Sequence, residues 1–120
     1  MTFEARTERR PGMTVVAFTG DLDIASEADA AAALAATLDD TKVLVADLRE
    51  LAFLDSTGVR VLIAADLNAR ERGVRFAVAR ADGMVRRLLD VTRLDQRFLV
   101  VDAPEDVGEA GPAGPETPGP

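Results

Sequence analysis

Apolar and polar positions along this chain follow two alternating periods, and the switches between them mark out its elements. Phe3, Ala5 and Thr7 alternate with polar neighbours as in a strand, Pro11-Gly12 signals a turn, and 13–18 reads as a second strand. Together they predict a hairpin. Gly20-Asp21-Leu22-Asp23 reads as a loop, and Ser26 with Asp29 three residues on marks a helix start. Ala30, Leu34 and Leu38 predict the buried face of that helix, which runs to about Leu38. The segment 43–48 has almost no alternation, the pattern of a central strand covered on both faces or packed deeply. A polar turn and Phe53-Leu54 lead into a second helix, 58 to about 72, with Val59, Leu62, Ile63 and Leu67 inward and Gly73 ending it. A strand at 74–79 follows, then a third helix capped by Asp82 with Val85, Leu88 and Leu89 as its stripe, then a last strand at 98–101.

The order β-β-α-β-α-β-α-β implies right-handed crossovers between parallel strands. It predicts the α/β class: a small mixed β-sheet with helices packed mainly on one side. One domain over 1–102 accounts for the periodic part. The segment 103–120 holds five prolines and four glycines and reads as a disordered acidic tail, with room for a short helical turn around Glu105-Asp106-Val107.

Composition narrows the function classes. The chain has 120 residues, enough for one core, and its 48% hydrophobic and 4% aromatic content points to an aliphatic interior. Cysteine and histidine are both absent. That removes disulfides, the usual zinc, haem and iron–sulfur ligand sets, and the Ser-His-Asp and Cys-His catalytic arrangements. No enzymatic activity is expected. The N-terminus carries no long apolar run, so neither a signal peptide nor a membrane span is expected, and a cytoplasmic protein is. Of the net charge of −7, the tail supplies −4 through Glu105, Asp106, Glu109 and Glu116, leaving −3 on the body. A mildly acidic body argues against nucleic acid as a partner, and Arg86-Arg87 reads as a solvated helix face.

The chemistry concentrates at Asp55-Ser56-Thr57-Gly58, between a strand region and a helix. Ser56 has three readings. It caps the helix, a role worth about 1 kcal/mol that needs no function. It is a nucleophile, but no histidine is present and nothing links Lys42, the lone lysine, to it. Or it is a phosphoacceptor, where a phosphate adds about −1.5 to −2 charges beside Asp55, Asp21 and Asp23. The residues alone leave capping and phosphorylation even. Asp21 and Asp23 offer oxygens that suit Mg²⁺, yet two loop carboxylates are commonly only loop residues, and no metal is assigned.

Over residues 3–102 the chain resembles the STAS-domain anti-sigma factor antagonists, bacterial partner-switching regulators. The resemblance is carried by Gly20-Asp21-Leu22-Asp23, Val45-Ala46-Asp47-Leu48, Phe53-Leu54-Asp55-Ser56-Thr57-Gly58-Val59 and Val85-Arg86-Arg87-Leu88-Leu89. It implies that Ser56, ahead of Thr57, is phosphorylated. It also places Asp23 near the partner surface and matches Gly58 to the family's glycine. The candidate partner-binding surface is Asp21, Asp23, Asp55, Ser56, Thr57 and Gly58 with the exposed side of the 58–72 helix. The implied partners are an anti-sigma factor that is itself a serine kinase, bound when Ser56 is unphosphorylated, and a PP2C-type phosphatase. ATP and Mg²⁺ then belong to the kinase, and this chain needs no cofactor. The family's C-terminal helix is largely replaced here by the Pro/Gly tail. The alternatives are a structural STAS module, never phosphorylated, in a larger signalling or transporter-associated assembly, and a small-molecule sensor using the Asp23 loop.

Overall fold

The segment without alternation lies at the centre of a six-stranded sheet. The computed structural model describes residues 2–80 and 84–109. Its strands are β1 (Glu4–Arg10), β2 (Met13–Leu22), β3 (Val43–Asp47), β4 (Leu51–Leu54), β5 (Arg75–Ala79) and β6 (Leu99–Val101), and its helices are α1 (Glu27–Ala35), α2 (Ser56–Glu71), α3 (Met84–Val91) and α4 (Asp106–Glu109). The sheet order is β1-β2-β3-β5-β6, with β4 alongside β2. Among the described residues the β1–β2 hairpin is antiparallel, and β2–β3, β2–β4, β3–β5 and β5–β6 are parallel.

Each face of β3 meets its own apolar layer. Leu44 and Ala46 join a large cluster with Phe18, Leu22, Leu34, Leu62, Leu89 and Phe98, under α1, α2 and α3. Val45 joins a smaller one on the other face with Val15, Ala77, Ala79, Val101 and Val107. A strand buried on both sides has no solvent face to encode, so its alternation disappears. Each fully buried leucine or phenylalanine contributes about 1.5–3 kcal/mol. Phe76 and Phe98 meet edge to face, with ring centroids 5.3 Å apart.

Several expectations change in the folded chain. The segment Gly20–Leu22 is not loop: β2 continues through it to pair with β4, across a register shift between Gly20 and Asp21. Gly20 sits at φ 84°, and a Cβ there would overlap the Thr2 carbonyl. Residues 51–54, read only as the approach to a helix, form β4, whose four residues are too few to show a period. The first helix ends at Ala35, and Leu38 is buried in the turn beyond it. Ser26 precedes α1 but makes no side-chain cap. Its buried hydroxyl instead donates to the Asp21 carbonyl at 2.8 Å and accepts the Asp23 N–H at 3.0 Å, pinning the loop after β2.

On α2, Val59 and Leu62 are buried as expected, while Leu67 is 47% exposed. Asp66 takes an inward position and is only 3% exposed, receiving Arg70 Nε at 3.0 Å with Arg97 Nε at 3.7 Å. Arg70 also donates to the Arg97 carbonyl at 2.8 Å, fastening α2 to the segment before β6. Gly73 ends the helix at φ 71°, as its position implies. Asp82 and the Val85 side chain lie outside the described residues. Residues 103–109 group with the tail by composition, but the short helical turn allowed around Glu105-Asp106-Val107 is present as α4, which seats Val107 against the sheet. The remainder of that segment lies outside the described residues. No helix among the described residues is long and apolar enough to cross a membrane.

Candidate functional site

The parallel pairing of β2 with β4 brings two distant acidic residues together. Leu22 is in register with Leu54, so Asp23 and Asp55 leave the ends of neighbouring strands side by side. The Asp55 N–H reaches the Leu22 carbonyl at 3.4 Å, joining the two strand ends. Below this seam Leu22 and Leu54 are buried in the main core.

Asp55 is the cap of α2, which corrects the assignment of that role to Ser56. Its backbone is extended (φ −117°, ψ −170°), and its Oδ1 accepts the N–H groups of Thr57 at 2.9 Å and Gly58 at 3.2 Å. An aspartate at this position both satisfies free amides and opposes the positive end of the helix dipole. Replacing it with alanine removes both. Asp55→Ala is expected to lower stability by about 0.5–2 kcal/mol, read from the urea midpoint, with Asp55→Asn recovering most of the loss.

Because Asp55 takes the cap, Ser56 becomes the first residue of the helix. Its side chain is exposed, and its hydroxyl has no hydrogen-bond partner among the described residues. A phosphate on it would find the Thr57 and Gly58 amides already engaged by a carboxylate. Such a group would stand at the surface as added charge beside Asp55 rather than replace the cap. Thr57, 8% exposed, faces the interior. The two hydroxyls are thus sorted by the turn of the helix.

Gly58 is buried for a steric reason. A Cβ on it would overlap Leu54 Cδ1 and come within 2.9 Å of both Leu22 Cγ and the Leu22 carbonyl oxygen. The glycine lets α2 sit directly on the joined ends of β2 and β4. Asp21 is half-buried at the end of β2. Asp23 is also half-buried, and its Oδ1 accepts the Ala25 N–H at 3.0 Å, which shapes the loop. Asp21, Asp23, Ala25, Ser26, Asp29 and Phe3 line a shallow depression there. Of the residues proposed from sequence for a partner surface, Ser56 is exposed, Asp21, Asp23 and Asp55 are half-buried, and Thr57 and Gly58 face inward.

Sequence reasoning missed Ile24. It is 76% exposed, next to Asp23 on the tip of the pinned loop. One exposed apolar side chain is ordinary on a protein surface, so Ile24 matters here only through its place beside Asp23. Its signal was present as an apolar residue inside an otherwise polar loop.

A family model described as the STAS domain matches residues 4–110. Among solved structures, an anti-sigma factor antagonist from Mycobacterium paratuberculosis aligns with 28% identity and a TM-score of 0.81, covering 91% of this chain and 93% of that one. The anti-sigma factor antagonist SpoIIAA in its unphosphorylated form aligns with 16% identity and a TM-score of 0.65, over 91% of this chain and 96% of that one. The Bacillus cell fate determinant SpoIIAA in its phosphorylated form gives 14% identity and a TM-score of 0.66, over 92% and 100%.

Proposed function

This chain belongs to the STAS domain family, and on that premise we propose that it is an anti-sigma factor antagonist switched by phosphorylation of Ser56. In its unphosphorylated state it binds an anti-sigma factor that is also a serine kinase, which releases the sigma factor. The kinase, using its own ATP and Mg²⁺, phosphorylates Ser56 and frees itself. A PP2C-type phosphatase resets the cycle in the cytoplasm. The chain itself catalyses nothing.

The observation that carries this reading is the exposed Ser56 hydroxyl beside a carboxylate already committed to the cap. A hydroxyl in that position can be modified without dismantling the helix start. The new charge then acts on whatever docks over Ser56, Asp23 and Ile24. The likeness at 28% identity to a structure described as an anti-sigma factor antagonist supports the same assignment.

Incubation with the cognate kinase and ATP, read by intact mass and peptide mapping, is expected to add one phosphate, on Ser56 and not on buried Thr57. An unmodified chain after complete turnover of a control substrate would favour the structural module.

A further inference from the structure

We propose that β1 is a self-pairing edge, through which two copies of this chain form an antiparallel dimer centred on Thr7. The strand lies at the end of the sheet order, with β2 on one side and, among the described residues, no strand on the other. Its first six residues, Glu4 to Arg9, are exposed and Arg10 is half-buried. This proposal is independent of the phosphorylation reading.

The backbone is set for such pairing. Arg10 and Met13 are opposite each other across the Pro11-Gly12 turn, so they exchange the closing hydrogen bonds of the hairpin. Bonding then alternates: Arg10, Glu8, Arg6 and Glu4 direct their N–H and C=O groups to β2, and Arg9, Thr7 and Ala5 direct theirs to the open edge. A second β1 running antiparallel about Thr7 satisfies those groups by pairing Thr7 with Thr7 and each Ala5 with the other copy's Arg9.

Charge selects this register. About Thr7, each Glu4 faces Arg10 of the other copy and each Arg6 faces Glu8, with no like charges opposed. Moving the centre by one residue towards the N-terminus opposes Glu4 with Glu8 and Arg6 with Arg6. Moving it the other way opposes Arg6 with Arg10 and Glu8 with Glu8. Directly opposed pairs of opposite charge support a sheet and like pairs oppose it. Charges on an edge strand commonly prevent pairing; here their order permits one register and penalises its neighbours. Arg10 already meets Glu8 at 2.9 Å and Glu105 at 3.2 Å, while Glu4 and Arg6 make no ion pair among the described residues. Glu4 and Arg6 are therefore available to the second copy.

In this dimer the Glu4 end of one strand lies by the Arg10 end of the other. The two Ser56 surfaces, each beyond the Glu4–Thr19 end of its own hairpin, fall at opposite ends of the assembly. Both stay open to partners.

Sedimentation of the full chain over a concentration series tests this, with circular dichroism melts as a folding control. The wild type is expected to dimerise reversibly, less so at high salt. Arg6→Glu and Glu8→Arg should each weaken self-association about tenfold or more, since each opposes like charges twice. An equimolar mixture of the two variants should form a heterodimer, because the side chains facing each other across the interface at these two positions are then again of opposite charge. Thr7→Pro removes an N–H that faces away from β2 and should dissociate the dimer while leaving the hairpin intact. A wild type that stays monomeric up to about 1 mM, single variants that dimerise as well as the wild type, or a mixture that does not associate would overturn the proposal.

Discussion

Ser56→Asp is expected to weaken binding to the cognate anti-sigma factor roughly a hundredfold, the equivalent of about 3 kcal/mol. The folded chain should barely notice the change. An acidic residue at the first position of a helix is favoured by the dipole, so the melting temperature should stay level or rise slightly. Ser56 is exposed and its hydroxyl has no partner to lose among the described residues. On the proposed function the effect would arise only in the complex, where a second carboxylate beside Asp55 would lose its water against the partner. A like-charge or unpaired-charge mismatch across an interface costs several kcal/mol. Ser56→Ala, which adds no charge, should bind within a few-fold of the wild type and resist the kinase. Titration calorimetry at physiological salt separates the outcomes, and equal affinities for the two variants would place the interface elsewhere.

Gly58→Ala should be the most disruptive single methyl added at this site. Alanine normally gains up to about 1 kcal/mol over glycine inside a helix. Here that gain is opposed by overlap with Leu54 Cδ1 and by 2.9 Å approaches to Leu22 Cγ and the Leu22 carbonyl oxygen. A leucine tip can rotate away. The carbonyl cannot, since it belongs to the strand end that β4 and Asp55 lean on. Overpacking of this kind costs typically about 1–3 kcal/mol, so the overlap outweighs the propensity. Each kcal/mol lowers the melting temperature by roughly 4–8 °C in a small domain. Lifting α2 from the strand ends would also move Ser56 relative to Ile24, so binding should fall together with stability. A variant as stable as the wild type would show that the seam has slack.

Much of this was legible in the chain. The strand regions at 43–48 and 74–79 follow from short apolar runs, and the second helix with Gly73 at its end and Ala30, Leu34, Leu62 and Leu89 as core follow from helical spacing; all are observed. Short elements were harder. The four residues of β4 hold too few positions to show a period, and the bulge at Gly20 disguised the end of β2 as a loop. Leu67 was placed inward, where Asp66 is found instead, because neighbouring positions at the margin of a helical stripe differ little in pattern. The ion pairs from Arg70 and Arg97, distant in sequence for Arg97, made the inward position tolerable for a carboxylate.

At the Asp55-Ser56-Thr57-Gly58 junction the sequence by itself determined that a strand region gives way to a helix there. It also placed a hydroxyl beside a carboxylate at the changeover. Those facts follow from side-chain types and spacing within one stretch of chain. Only the tertiary structure decided that Asp55 takes the cap, that Ser56 faces water and Thr57 the core, and that Gly58 must lack a side chain. Each depends on where β2, well before it in the chain, lays its last carbonyl and leucine against β4. A cap accepts the amides two and three residues on, so Asp55 takes Thr57 and Gly58 where Ser56 would need Gly58 and Val59. The extended backbone at Asp55 goes with the first of these.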